Sequence, residues 1–319
     1  MKAFVTGATG FIGTNLTERL LKDNWQVKVL IRDEKKLRLP EHKNLKLIKG
    51  SLTDQESLDK GSVGVDVVFN LAAGLPYHQL PQEKYIQANV TGVENLLKSS
   101  DKAKINRLVH VSTVGIYGSS FTGVIDEQSK INATDIYTET KYKGEQYIRD
   151  FAKKTGLKFV IIRPTIGYGP YDTRPGFLDL FKFIKKRLFF LVGKGDNFFH
   201  TIYVENLIDA LVLAATKKEA IGEDFIIGDE ICPTMKELAK TIAKCEGVSL
   251  NPFYLPRWFA FFLAKLPKVP LTSQRVTFIT ENRKYSIQKA KKVLGYKPSC
   301  NLEEGIRRTY DWYRERGYL

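Results

Sequence analysis

Tyr137 and Lys141 stand four residues apart in Tyr137-Thr138-Glu139-Thr140-Lys141. On a helix, that spacing places both side chains on one face. An ammonium beside a phenol favours the phenolate and draws a tyrosine down from its usual value of about 10. Such a tyrosine can move a proton at a substrate oxygen near neutral pH. The spacing alone is not selective, because Tyr285-Ser286-Ile287-Gln288-Lys289 repeats it. The surrounding chain has to separate the two.

A second chemical feature is Gly7-Ala8-Thr9-Gly10-Phe11-Ile12-Gly13. It follows the strand-like run Lys2-Ala3-Phe4-Val5-Thr6 and opens an amphipathic helix. In such a turn Gly7 permits the tight bend, and Gly10 lets the backbone approach a pyrophosphate. Gly13 lets helix and strand pack closely. The first helical amides then face the anion. Glycines alone are weak, but a strand before and a helix after are the context a dinucleotide site requires. Arg32 ends the next strand, where an arginine accommodates the 2′-phosphate of NADP and a carboxylate would bind the ribose of NAD.

The elements that must position these residues alternate regularly in the first half. Strands are expected near 2–6, 26–31, 45–49, 65–70, 107–113 and 158–163, with helices at 11–22, 54–60, 82–103 and 137–155. Alternation of this kind implies parallel strands joined by crossover helices. The fold class is α/β, a Rossmann-type doubly wound parallel sheet with a smaller C-terminal substrate-binding domain. The dinucleotide domain is expected over 1–165 and the substrate domain over 166–319. A helix near 203–216 and a strand near 225–227, within 199–228, return to the first sheet. From 233 onward the chain reads as helices with prolines between them.

Composition narrows the classes. The chain has 319 residues, 43% hydrophobic and 27% charged, which excludes disordered, collagen-like and coiled-coil chains. The formal net charge of +15 is uneven. Residues 1–50 carry 11 Lys and Arg against 5 Asp and Glu, residues 151–200 carry 10 against 3, and residues 251–319 carry 14 against 5. Such an excess favours anionic partners. No recognition helix or aromatic RNA motif points to nucleic acid. No apolar run is long enough to cross a membrane, and the N-terminus reads as a strand rather than a signal peptide. Cys232, Cys245 and Cys300 are scattered, which suggests reduced thiols and a cytoplasmic protein. The histidines His42, His78, His110 and His200 show no metal spacing with them, so no metal is expected.

Thr6-Gly7-Ala8-Thr9-Gly10-Phe11-Ile12-Gly13 resembles the N-terminal turn of the extended short-chain dehydrogenase/reductases. That superfamily includes NAD-dependent epimerases/dehydratases, 3β-hydroxysteroid dehydrogenases and dihydroflavonol reductases. The resemblance covers nearly the whole chain. It implies cofactor contacts from Gly7, Thr9, Gly10, Phe11, Ile12 and Gly13. Others fall on Arg32, Ser51, Leu52, Leu71, Ala72, Ala73, Tyr137, Lys141 and Pro164. Family members selective for NAD usually carry an acidic residue aligned with Ile31. Arg32, with Lys35 and Lys36 nearby, therefore favours NADP, while Asp33 within reach of a ribose hydroxyl leaves NAD open. Ser51 stands where relatives have an Asp that reads the adenine amino group.

The same resemblance separates the two tyrosine–lysine pairs. Val111-Ser112-Thr113-Val114-Gly115-Ile116-Tyr117-Gly118 resembles the family segment with the catalytic Ser/Thr, and its register assigns that role to Thr113, with Ser112 adjacent. The Thr113 hydroxyl would stabilise charge on the reacting oxygen. Tyr137 would be the acid/base, and Lys141 would also hold the nicotinamide ribose. Asn89 resembles the helix asparagine that supports this lysine through a backbone kink and water. Tyr285 and Lys289 lie far from any such strand and read as structural.

On the substrate side, Arg163-Pro164 and the Thr201–Ala210 segment resemble family segments, as does Leu294-Gly295-Tyr296-Lys297-Pro298. Dehydratases follow the Ser/Thr with an Asp-Glu pair. Val114-Gly115 stands there, which disfavours dehydration. Many sugar-nucleotide epimerases carry a diphosphate-clamping Arg where this chain has Phe199, and Phe cannot substitute. Arg187, Lys194, Arg275, Arg283 or Lys284 could replace it. The leading expectation is hydride transfer between NAD(P) and a secondary alcohol or ketone. The alternative is a nucleotide-sugar epimerase that oxidises and re-reduces one sugar carbon. The aromatic, basic stretch Phe253–Leu263 reads first as a helix packed on the substrate-domain core, then as a pocket wall, then as a membrane-surface contact. Phe177, Phe181, Phe183, Phe189 and Phe190 form a similar stretch. The expected partner is a small-molecule substrate, with a homodimer implied by the family.

Overall fold

A computed structural model describes residues 1–319 apart from 77–78, 119–122, 251 and 267–271, and apart from the side chains of 274 and 275. His78 and the Arg275 side chain therefore lie outside the described residues. The first half runs β1 (Lys2–Thr6), α1 (Phe11–Lys22), β2 (Gln26–Ile31), β3 (Leu45–Lys49), α2 (Gln55–Ser62) and β4 (Val67–Asn70). It continues through α3 (Gln82–Ile86), α4 (Gly92–Lys102), β5 (Arg107–Val111), α5 (Ile136–Thr155) and β6 (Phe159–Pro164). The second half holds β7 (Ile166–Tyr168), α6 (Phe177–Lys185), β8 (Phe190–Val192), β9 (Thr201–Tyr203), α7 (Val204–Thr216) and β10 (Asp224–Ile227). It ends with α8 (Met235–Cys245), β11 (Phe253–Leu255), α9 (Arg257–Leu263), α10 (Ser273–Thr280) and α11 (Leu302–Glu315).

Seven strands form one sheet in the order β10-β6-β5-β4-β1-β2-β3, every pair parallel. The β-branched and aromatic runs seen in the sequence produce it, because such strands must be covered on both faces. Alternate residues serve alternate faces. Ala3, Val5, Val67, Phe69, Val109 and Val111 pack with Leu16 and Leu20 of α1 and Leu207 and Leu211 of α7. Phe4, Val68 and Leu108 pack with Leu58, Leu96, Leu97 and Ile148 of α2, α4 and α5. The chain builds outward from β1 to β3, then crosses back to place β4 on the other side of β1. That reversal is the crevice in which doubly wound sheets bind ligands.

Three local features depart from the expected elements. The helix expected over 82–103 is interrupted by a π-helical turn at Gln87–Thr91. One extra residue in a turn leaves no mark on apolar periodicity, so the sequence did not show it. The strands expected over 65–70 and 107–113 are shorter, Val67–Asn70 and Arg107–Val111. Beyond 233 the chain is not only helical, because β11 pairs with β8, opposite Phe190-Leu191-Val192.

β10 lies against β6, and a buried ionic group holds it there. Arg163 of β6 makes a bidentate pair with Glu145 of α5 at 3.1 and 2.6 Å. The same guanidinium donates to Tyr117 Oη and to Asp224 of β10. The fork of donors matches the carboxylates, which is the geometry that makes a buried arginine tolerable. At the opposite end of the chain, Tyr296 is fully buried and its hydroxyl donates to the Gly228 carbonyl at 3.0 Å.

Candidate active site

The residues singled out in the sequence converge on the carboxyl ends of the parallel strands. Gly7 adopts φ +75°, and a Cβ there would come 2.7 Å from Ala72 N. Glycine is therefore required both for the left-handed turn and for the close approach of β1 to the loop after β4. A Cβ on Gly13 would lie 2.1 Å from the Gly7 carbonyl oxygen, so this glycine permits α1 to start against the turn. Gly10 is the exposed N-cap of α1, with no side-chain cap and no acidic residue in the first turn. The amides of that turn are thus left for a ligand anion.

Around this turn, Thr9, Ile12, Leu71, Ala72 and Ala73 are half-buried, while Phe11 is buried. Leu52 is buried against Gly92, where a Cβ would meet it at 2.7 Å. Ser51 Oγ shares a 3.0 Å hydrogen bond with Thr53 Oγ1. Pro164 is buried at the end of β6. Arg32 is exposed and has no hydrogen bond or ion pair among the described residues. The Asp33 carboxylate accepts the Lys35 amide at 3.0 Å. These small residues and open amides fit a dinucleotide lying across the strand ends.

α5 begins at a capping box. Asp135 accepts the Thr138 amide at 2.9 Å, and Thr138 Oγ1 accepts the Asp135 amide at 3.3 Å. This start places half-buried Tyr137 in the first turn and Lys141 one turn further in. Gly115 lets the segment after β5 reach that turn, since its Cβ would sit 3.0 Å from Thr138 Cγ2. Thr113 stands in this segment, half-buried, with Oγ1 accepting the Gly115 amide at 3.0 Å. Ser112 Oγ is buried and has no partner among the described residues.

Lys141 is 2% exposed and donates to the Val111 carbonyl at 2.7 Å. Burial pushes its ammonium down to about 8, with Glu145 opposing. Its Nζ faces His110 Nε2 at 3.5 Å. Burial, and then Lys141, hold His110 well below the usual histidine value. His110 Nδ1 lies 3.0 Å from the Asn70 amide nitrogen. Asn70 Oδ1 accepts from Thr6 Oγ1 at 2.8 Å, and Thr6 Oγ1 accepts the Ala72 amide at 3.3 Å. A continuous polar line thus joins the glycine-turn strand to Lys141.

Asn89 sits in the π-helical turn and is buried. Its side chain accepts the Gly74 amide at 2.9 Å and donates to Thr140 Oγ1 at 3.0 Å. It therefore fastens the loop after β4 to the helix of Tyr137 and Lys141. A Cβ on Gly144 would lie 2.6 Å from the Asn89 carbonyl oxygen, so α5 and the π turn touch closely.

The sequence assigns no site role to Thr6, Asn70, His110 or Arg174. The first three carry a readable signal, since each is a polar residue in or ending an otherwise apolar strand. Arg174 lies over the Phe11 ring at 4.6 Å, beside the glycine turn, and pairs with Asp172 at 2.6 Å. Only the fold brings it there. On the substrate side, Phe199 is 5% exposed and meets Phe278 edge-on at 5.5 Å. Arg283 lies over Phe278 and pairs with Glu281 at 3.8 Å. Lys284 lies over the Phe198 ring, and Lys194 is exposed.

A model of the NAD dependent epimerase/dehydratase family matches residues 3–228. The decarboxylating sterol-4-alpha-carboxylate 3-dehydrogenase of Candida albicans is 30% identical, over 98% of this chain and 97% of its own. The 3 beta-hydroxysteroid dehydrogenase/Delta 5→4-isomerase of Mycobacterium tuberculosis is 27% identical, over 98% of this chain and 90% of its own. UDP-glucose 4-epimerase of Thermotoga maritima superposes with a TM-score of 0.81 at 24% identity, over 99% of both chains. Seven parallel strands, an open α1 N-terminus and these matches agree: the chain is an enzyme of the NAD-dependent epimerase/dehydratase family, the extended short-chain dehydrogenase/reductases, working with a nicotinamide dinucleotide as an oxidoreductase or epimerase.

Proposed function

We propose that the chain is a dehydrogenase/reductase acting on a secondary alcohol or ketone of an apolar skeleton, with NADP(H) preferred to NAD(H). Phe199 carries the choice of substrate. It fills with a buried ring the position where nucleotide-sugar epimerases place a diphosphate clamp, and the nearby Arg283 is engaged with Glu281 and Phe278. The sterol and hydroxysteroid dehydrogenases among the relatives act, by their names, on apolar polycyclic compounds.

The bound nicotinamide would supply hydride exchange at the carbinol carbon. Tyr137 accepts the hydroxyl proton in oxidation and returns it in reduction. Lys141, one turn along the same helix, supports the phenolate by its charge and holds the ribose. The Thr113 hydroxyl donates to the reacting oxygen and keeps it beside Tyr137. Asn89 keeps the loop after β4 and α5 in register. Exposed Arg32 supports the cofactor preference, since Asp33 already accepts the Lys35 amide.

Steady-state absorbance of NADPH and NADH against a panel of steroid and aliphatic ketones tests the reading. NADPH-dependent reduction of an apolar ketone is expected. Arg32→Asp should raise KM for NADPH about tenfold or more, the loss of one charge-assisted phosphate contact, and change KM for NADH little. Interconversion of a UDP-sugar without net change in absorbance would overturn the reductase in favour of the epimerase.

A further inference from the structure

Residues 180–195 contain five Lys or Arg and no Asp or Glu, and residues 247–280 contain four and none. The fold brings the strands of these two segments together. β8 and β11 pair with Phe190 opposite Phe253, and Val192, Leu255, Ala260 and Val276 form a small separate core beneath them. Several outer residues of this layer are large and apolar. Trp258 is 73% exposed, Phe253 68%, Leu188 64% and Phe262 52%. Trp258 and Phe262 are one turn apart on α9, while Ala260 between them faces inward. Lys236 lies over the Tyr254 ring at 5.8 Å and Arg257 over the Phe261 ring at 5.9 Å.

Scattered exposed apolar residues need no account, but a group of large aromatics within one layer marks an interaction surface. Its charge says which kind. A second copy of this chain would meet the face symmetrically and set the exposed Arg187, Lys194 and Arg257 against the same cations. An anionic lipid surface supplies the opposite charge and takes Trp and Phe at the level of its headgroups. No helix among the described residues is long and apolar enough to cross a membrane, so contact is with the surface. We propose that the β8–β11–α9 face of the substrate lobe docks on an anionic lipid bilayer, with Trp258 and Phe262 inserted and the surrounding Lys and Arg held at the headgroups. This inference is independent of the substrate and of the cofactor preference.

Flotation of the full chain with phosphatidylcholine vesicles, with and without phosphatidylserine, tests it. Bound protein should increase about tenfold or more with the anionic lipid, since basic residues near the surface are drawn to its charge. It should fall as salt is raised. A Trp258→Ala/Phe262→Ser variant should lose most of the binding while its circular dichroism and melting temperature stay unchanged, since both side chains are exposed. Absence of binding at low salt would overturn the proposal, as would binding indifferent to phosphatidylserine or to the variant. A sedimentation-equilibrium dimer that the same variant returns to monomer would overturn it in favour of a second copy.

Discussion

Tyr137 and Lys141 occupy successive turns of a capped twenty-residue helix, whereas Tyr285 lies in a β-bridge to Ile125 and Lys289 only enters the next helical turn. The two pairs have the same sequence spacing. Only the first has the helical backbone that turns a spacing of four into a shared face. Their lysines differ as well. Lys141 is buried without a carboxylate within salt-bridge reach among the described residues and sits at about 8. Lys289 is 25% exposed, pairs with Glu223 at 2.9 Å and lies over the Phe225 ring. One ammonium is held in a depleted environment beside a half-buried phenol. The other fastens the C-terminal segment to β10. Burial and secondary structure, rather than residue type, divide a candidate catalytic pair from a structural one.

The sharpest way to break this contrast is at the phenols. Tyr137→Phe should lower kcat by about 10³-fold, within the usual range for removal of a general acid/base. Tyr285→Phe should leave turnover within about twofold and act on stability, because its hydroxyl is buried. Equal losses at both positions would refute the division.

The lysines give the next largest effect. Lys141→Met should reduce turnover about 10²-fold, and it should also alter the pH dependence of stability. The folded lysine sits near 8 and the unfolded one at 10.5. Between those values the unfolded chain binds the proton more, so wild-type stability should rise with pH across that window. Below about 8 the full penalty of the buried ammonium is present. Urea melts from pH 7 to 10.5 should show the rise in wild type and its loss in Lys141→Met. Lys289→Met should keep the wild-type rise and lose no more than about 1 kcal/mol, the usual worth of a partly exposed ion pair.

The smallest effect sharpens the contrast at its support. Asn89→Ala leaves the Gly74 amide without its buried acceptor and removes the donor to Thr140 Oγ1, at a loss of about 1–3 kcal/mol. KM for the cofactor should rise as the loop after β4 loosens. A thermal melt and a cofactor titration check the two parts separately, and a variant of unchanged stability would remove Asn89 from the site.

The sheet and the glycine turn were legible because their signals are local. Val67-Val68-Phe69 and Leu108-Val109 are buried on both faces, and Gly7 and Gly13 stand where any Cβ would clash. What escaped depends on contacts between distant residues. His110 meets Asn70 across 40 positions and Lys141 across 31. The π turn around Asn89 is a one-residue insertion invisible to periodicity. The Phe253–Leu263 stretch read first as core, yet Phe253, Trp258 and Phe262 face outward. Hydrophobicity alone does not say whether an aromatic residue is covered by its own chain.

The outer edge of the sheet also sets an order for synthesis. Arg163 emerges 61 residues before Asp224. At roughly 5–20 residues per second, the ribosome leaves that arginine with Glu145 and Tyr117 but without Asp224 for about 3–12 seconds. Throughout this interval β6 is an apolar strand with one side unpaired, a ready template for a neighbouring nascent chain. A polypeptide released at residue 165 would keep that edge permanently, so truncation there should yield aggregate rather than an isolated dinucleotide domain.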